Sequence, residues 1–438
     1  MRQAKLLVEK HNRIEEMKMP EIKTYAAANY PMIWLGPKGY PEHANGGRCY
    51  LTGMLGMLRH HGERDVLFAD GTSGDGFSFR WCPAWGAPSF VGGTGPWHEL
   101  WEYTPNALGF VGRWEQDHEG GWEGAFNKLR ELIDRGIPVQ VGTHYNLLFP
   151  YVSKVSPRFN LLQGSWGETG FGHHIVIVGY DLDRETVTIY EPNDLAEHSR
   201  YECPIDSFRR AWEGAAQWQE GHYSEWPNHY AWNGEWTLHD GYGPYLMFWI
   251  EPGRDPNWNI GASIRHSYRR NLKILRGEYP KPYALFGNCW QIPHFETGAP
   301  GMAACARAIL RGELENPVTP TGEVQPLFVV GNIPNHGVLG RAGAAGYLRR
   351  VVMELETYKL NALPVDRAAQ YLTQSATLFK TLRYEANIKK AGDILARIAE
   401  TEIEALRCME EGLESVLQIP LATSSWPRNS PLRAMGGG

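Results

Sequence analysis

The sequence predicts an α+β protein, with a mixed helix-and-strand part to about Gly253 and a mostly helical part after it. Three observations carry this. Leu51, Met54, Leu55 and Leu58 fall at i, i+3, i+4 and i+7, the spacing of a helix with one buried face. Ile175-Val176-Ile177-Val178 is apolar on both faces, and turn residues from Gly179 to Asp183 lead to a β-branched return strand, Thr186 to Tyr190. Beyond Gly253 the helical period recurs over long stretches. At 438 residues the chain exceeds the size of one core. We therefore expect an N-terminal extension over 1–40, a first domain over 41–253 and a helical domain over 254–438.

The first helix is expected from Cys49 to His61, with His60 and His61 at its negative end and Gly62 as a left-handed cap. Phe126, Leu129, Leu132 and Ile133 mark a second helix that stops at Gly136, and Pro138 to Gly142 reads as the strand after it. Asp206 to Trp212 is a short helix, and Tyr245 to Glu251 a strand that closes the sheet. Between them Trp218, Tyr223, Trp226, Tyr230, Trp232 and Trp236 are broken up by Pro227, Gly234 and Gly241, the pattern of a loop or hairpin. Those aromatics either wall a pocket for a planar or apolar acyl group or cover a sheet edge, and the second reading is slightly favoured. Later helices are expected over Ile264–Leu275, Met302–Leu310, Gly343–Lys359 and Val365 to about Leu417 with a break near Gly392. Pro317 to Gly337 is a connector holding one strand-like run, Leu327 to Val330, and Gly340, Gly343 and Gly346 would let two helices approach closely.

Chemistry concentrates at Cys49, behind Asn45-Gly46-Gly47-Arg48 and at the mouth of the first helix. A thiol there meets unpaired backbone N–H groups and the positive end of the helix dipole, which favour its anionic, nucleophilic form. His173 and His174 precede the apolar strand, and alternation lets only one of them face Cys49. We expect His174, next to the apolar run, to be the base. The return strand runs into Glu191-Pro192-Asn193-Asp194, so a carboxylate or amide arrives beside the histidine as the orienting group. A lone cysteine on a helix is most often a small core residue. The order nucleophile, base, orienter turns the reading toward catalysis.

In this order and spacing the residues resemble a family. Arg48-Cys49 with its helix ending His61-Gly62, the glycine-rich Leu67 to Phe79, Gly136-Ile137-Pro138-Val139 leading to Leu147 through Tyr151, and His174 with Gly179-Tyr180-Asp181 are similar to the papain-like cysteine fold. More narrowly they resemble the butirosin-pathway-type acyltransferases, relatives of the double-glycine leader peptidases. The likeness covers about Ala44 to Trp212. It implies Cys49 as nucleophile, His174 as base and Glu191 as orienter, although relatives carry aspartate there and Asn193 or Asp194 could take that role. His43 stands where papain-like enzymes place an oxyanion-binding glutamine. The Cys49 backbone N–H with His43 or Asn45 is the candidate oxyanion set, each donor worth about 3 kcal/mol in the transition state. His144, Tyr145, Tyr151 and the second histidine, His173, are expected substrate contacts, though a solvated loop is an equal reading for the 144–146 stretch.

Other chemistries find little support. His98-Glu99 lacks the second histidine of HExxH, His60-His61 adjoins no ligand set, and no metal is expected. Gly71 to Gly76 lacks the following lysine of a phosphate loop, and Gly164-Ser165-Trp166-Gly167 has misplaced glycines for a nucleophile elbow. A net charge of -6 without basic runs argues against nucleic acid. Arg2 to Lys18 is too charged for a signal peptide, and no apolar run nears the roughly 18 residues of a bilayer span. Six scattered cysteines without CxxC suit reduced thiols in a soluble, cytoplasmic protein. The expected activity is transfer of an acyl group from a carrier-protein or coenzyme A thioester, through Cys49, to an amine or hydroxyl of a small acceptor in specialised-metabolite assembly. No cofactor beyond that thioester co-substrate is expected, an acyl carrier protein is the candidate macromolecular partner, and an oligomer is compatible with the sequence. The alternatives are a cysteine peptidase or amidase, and a non-catalytic binding protein of the same fold.

Overall fold

A computed structural model of the chain describes residues 24–26, 49–81, 97–116, 118–155, 172–192, 200–213, 245–278, 296–314, 333–382 and 385–421. The aromatic segment Trp218 to Trp236, the run Leu327 to Val330, and His43, Asn45, Asn193 and Asp194 lie outside the described residues. Helix α1 (Cys49–His60) starts where the apolar period starts. It ends with Arg59 and His60 at its negative end, followed by a turn in which Gly62 takes φ +103°, a conformation cheap only without a Cβ. Helix α2 (Val66–Ser73) follows, its Phe68 N–H capped by the Asp65 carboxylate.

Seven of the described strands form one antiparallel sheet in the order β3 (Val111–Glu115), β8 (Met247–Glu251), β4 (Val139–His144), β5 (Gly172–Asp181), β6 (Thr186–Tyr190), β7 (Arg200–Pro204), with β1 (Thr24–Ala26) also on β5. The short β2 (Arg80–Trp81) and β9 (Glu296–Thr297) pair separately. Both faces of the main sheet are covered, which is why β5 is apolar throughout. On one face Val176, Val178, Tyr190 and Phe248 pack with Tyr50, Met54 and Leu58 of α1. On the other Ile175, Ile177, Val139 and Val141 meet α4 (Trp122–Asp134) through Phe126 and Leu129, and the helix over 205–213 (α6) through Trp212. Helix α3 (Trp97–Ala107) precedes β3, and α5 (Phe149–Val155) follows a tight turn over Tyr145–Leu148.

Thus the protein is α+β, with a mixed helix-and-strand N-terminal part followed by a helical region. The helical region comprises α7 (Ile260–Arg276), α8 (Gly298–Leu310), α9 (Ile333–Thr357), α10 (Leu363–Leu382) and α11 (Ile388–Gln418). Tyr268, Tyr347 and Met409 from this region join the same buried cluster as α1 and the sheet. This buried cluster therefore draws on residues from both sides of position 253. The expected break near Gly392 falls elsewhere, since α10 ends at Leu382, α11 begins at Ile388 and Gly392 lies inside α11. Gly392 is a packing residue, because a Cβ there would sit 2.8 Å from Ile309 Cγ2. The sequence reading missed β3, too short and polar at Arg113 and Glu115 for a periodic signal, as well as α3 and β7. Among the described residues no helix is long and apolar enough to cross a membrane.

The three glycines of α9 do allow close approach, and the partner is α2 with the turn after it. A Cβ on Gly343 would lie 2.0 Å from Asp70 Oδ2, and one on Gly71 would lie 2.0 Å from Tyr347 Cβ. The Tyr347 atom is tied to its own backbone and cannot swing away. Gly71→Ala is therefore expected to cost about 1–3 kcal/mol of unfolding free energy by overpacking, read as a lower denaturant midpoint. A midpoint equal to wild type would show that the seam has slack.

Candidate active site

Cys49 is the first residue of α1 and is 9% exposed. Its thiol lies within hydrogen-bonding reach of the His173 ring. The other side of that ring faces Glu191, with Nε2 and Oε1 2.7 Å apart, so Nδ1 is the nitrogen left for the sulfur. Both His173 and Glu191 are buried. The hydroxyl of Thr143, the neighbour of His173 across the β4–β5 ladder, donates to the His173 carbonyl at 3.1 Å. Sulfur, imidazole and carboxylate thus stand in series, supplied by a helix mouth, a strand and the end of the next strand.

The structure corrects one expectation. His173 meets Cys49, and His174 points to the opposite face, where its ring stands edge-on to Tyr50 at 6.4 Å and to Trp101 at 5.6 Å. Trp101 in turn stacks on Phe248 at 5.4 Å. A β-bulge decides which of the two rings shares a face with Glu191. Pairing of β5 with β6 shifts between Ile177 and Gly179, leaving Val178 unpaired, and this puts Glu191 on the face of Ile175 and His173. Glutamate, despite its extra methylene, reaches the imidazole. The apolar run shows no preference between its two faces, so its pattern does not say which histidine receives Glu191.

The two rings differ electrostatically. Burial opposes a charge on His173, but the Glu191 carboxylate and then Cys49 overcome it and raise its pKa to about 10. Burial, then repulsion from His173, lowers His174 to about 3 and keeps it neutral. Tyr201, across from Ile189 on β7, is also held neutral by burial and by Glu191. Burial raises the Cys203 thiol to about 12 and raises Cys305 as well, which leaves both inert near neutral pH.

The expected substrate contacts are dispersed. His144 ends β4, half-buried, with its pKa lowered by burial. Tyr145 begins the tight turn that follows. Tyr151 shares a 2.6 Å hydrogen bond with Ser207, tying α5 to α6. The sequence reading passed over Tyr50, Trp101 and Asp75, although Asp75 lies inside the glycine-rich stretch it singled out. Among the described residues, no group of three or more His, Cys, Asp or Glu could hold a metal ion.

Residues 90–219 match the Peptidase_C39 like family. That span contains His173 and Glu191 but not Cys49, whose place beside them rests on the geometry above. The papain-like relationship of the N-terminal part rests on this match. No curated protein matches the chain.

These shifts set the pH dependence of stability. His174 holds a proton less well folded than unfolded, so its contribution is complete above about pH 6.5 and falls as the pH drops below that value. In denaturant titrations His174→Phe should show a shallower loss than wild type between pH 6.5 and 4, with His61, lowered to about 4 by burial and His60, still contributing. His173 has the opposite sign. Its contribution is complete below about pH 6.5 and is lost as the pH rises through 10, so Glu191→Gln should flatten the alkaline side. Alkaline slopes identical in wild type and Glu191→Gln would refute the buried pair.

Proposed function

We propose that this chain is a cysteine-dependent acyltransferase in which Cys49 carries the acyl group, His173 moves the proton and Glu191 orients and charges the imidazole. The supporting observation is the series Cys49, His173, Glu191, closed by the 2.7 Å contact between Nε2 and Oε1. A raised imidazole pKa keeps the ring protonated beside the sulfur at neutral pH, and an imidazolium stabilises a thiolate nucleophile.

The thiolate attacks the carbonyl carbon of a thioester donor, the donor's C–S bond breaks, and the departing sulfur takes the His173 proton. An acceptor amine then attacks the Cys49 thioester. Neutral His173 removes the amine proton, the Cys49 C–S bond breaks, and the thiolate is restored. Exchange of one thioester for another is nearly balanced in energy, so the donor's activation is kept for amide formation. The Cys49 backbone N–H, in the first turn of α1, is the donor we assign to the oxyanion. The choice of a carrier-protein or coenzyme A thioester, and of a small-molecule acceptor, rests on the sequence resemblance. The family match at 90–219 favours a second reading, a peptidase or amidase using the same three residues on an amide, with water as acceptor.

Intact mass after incubation with an acyl thioester should show an acyl adduct that is absent in Cys49→Ala. An adduct that persists in that variant would remove Cys49 as the nucleophile. Iodoacetamide should label Cys49 faster than Cys203 or Cys305, and His173→Ala should slow that labelling by about 10²-fold or more, while His174→Ala slows it much less. Peptide cleavage without thioester turnover would select the peptidase reading.

A further inference from the structure

The glycine-rich stretch from Asp70 to Ser78 lies between α1 and the helical region and is held by side chains from both. From the helical side, Arg270 donates to the Ser73 carbonyl at 2.6 Å and Asn271 to the Gly71 carbonyl at 2.9 Å. Arg341 donates to the carbonyls of Gly76 at 2.9 Å and Ser78 at 2.7 Å. Its remaining nitrogens clasp both oxygens of Glu402, which also accepts from Ser375 at 2.6 Å. Arg341 and Glu402 are fully buried, so this fork is in place only when α9, α10 and α11 are packed together.

From the other side, the Asp75 carboxylate accepts a hydrogen bond from the Tyr50 hydroxyl. Asp75 is itself set by its N–H to Ser73 Oγ at 3.1 Å and by its carbonyl, which accepts from Ser78 Oγ at 2.8 Å. Tyr50 follows Cys49 directly and is constrained at three further places: its carbonyl accepts from Gln140 Nε2 at 3.0 Å, its ring meets His174, and its body is buried in the core. A phenylalanine with an apolar partner would fill the same space without desolvating a carboxylate. The polar pair adds a fixed orientation for the first turn of α1, the turn that carries the thiol.

We infer that Tyr50 and Asp75 are positioning residues for Cys49, and that through them the helical region sets where the sulfur stands relative to His173. This rests on the Cys49–His173 reading above. The hydrogen bond fixes Tyr50 at its far end, the peptide plane fixes Cys49 to Tyr50, and Arg341 holds the turn that carries Asp75 to the helices through the Gly76 and Ser78 carbonyls. Loss of the hydroxyl leaves the packing intact and releases only the orientation.

The test is the rate at which iodoacetamide alkylates Cys49 in the full chain, measured across pH, together with the thermal midpoint. Tyr50→Phe should slow alkylation by roughly 10-fold to 100-fold, the scale of a small misplacement of a reacting group. Asp75→Ala should match it, and Asp75→Asn, which keeps an accepting oxygen, should recover most of the rate. Tyr268→Phe removes an equally buried hydroxyl, bonded to the Met409 carbonyl at 2.9 Å, and should lower the midpoint at an unchanged rate. Wild-type rates in Tyr50→Phe, or no recovery in Asp75→Asn, would overturn the inference while a slow His173→Ala leaves the dyad standing. A His173→Ala rate equal to wild type would instead overturn the dyad itself. If Asp75→Ala does not fold, Tyr50→Phe and Asp75→Asn decide the matter.

Discussion

Val178, unpaired in the hairpin of β5 and β6, determines the geometry around it. Counting back from the turn, Asp181 pairs with Thr186, Tyr180 with Val187 and Gly179 with Thr188. Continued without interruption, that register would set Glu191 opposite Val176, on the face of His174. The bulge moves the pairing by one residue, so that Ile177 meets Ile189 and Glu191 joins the face of Ile175 and His173. One extra backbone residue therefore selects which of two adjacent imidazoles receives a carboxylate.

The electrostatic difference between the histidines follows from that selection. Both rings are buried and both lose hydration. One gains a carboxylate and a sulfur and holds its proton, while the other meets Tyr50 and Trp101 and stays neutral. Neutral His174 then places no second positive charge beside the first. A buried ion pair is costly unless well matched, and removal of one partner leaves a charge stranded in apolar surroundings of Ile175, Ile177 and Val141. Such preorganised charge suits a site where a proton has to be held in place.

The helical region belongs to the same physical unit. The sheet face bearing Val176 and Val178 is covered by α1, α2 lies against α1, and α7 and α9 pack on α2 within the same buried cluster. The seam of α2 with α9 is tight because Gly71 and Gly343 admit the Tyr347 side chain and the Asp70 carboxylate where a Cβ would collide. It is also polar, because the turns of the glycine-rich segment present carbonyls that Arg270, Asn271 and Arg341 satisfy. Chain length alone suggested two cores at this size. Among the described residues there are three buried clusters, and in one of them the long helices join α1 and a face of the sheet.

Local patterns made much of this legible. The helix opening at Cys49 and ending before Gly62, the strand from Thr186 to Tyr190, and the glycines of α9 are short-range signals, and the structure contains each of them. Short or polar elements such as β3 were not legible, since five residues with charged neighbours carry no period. The sequence by itself determined which residue types were present for the chemistry and which segments were helix or strand, because those depend on neighbours within a turn or a pleat. Only the tertiary structure decided that His173 rather than His174 joins Cys49 and Glu191, and that Asp75 reaches Tyr50. Face selection by a bulge and contacts across many residues of intervening chain depend on how elements register against one another, and local spacing contains no record of that.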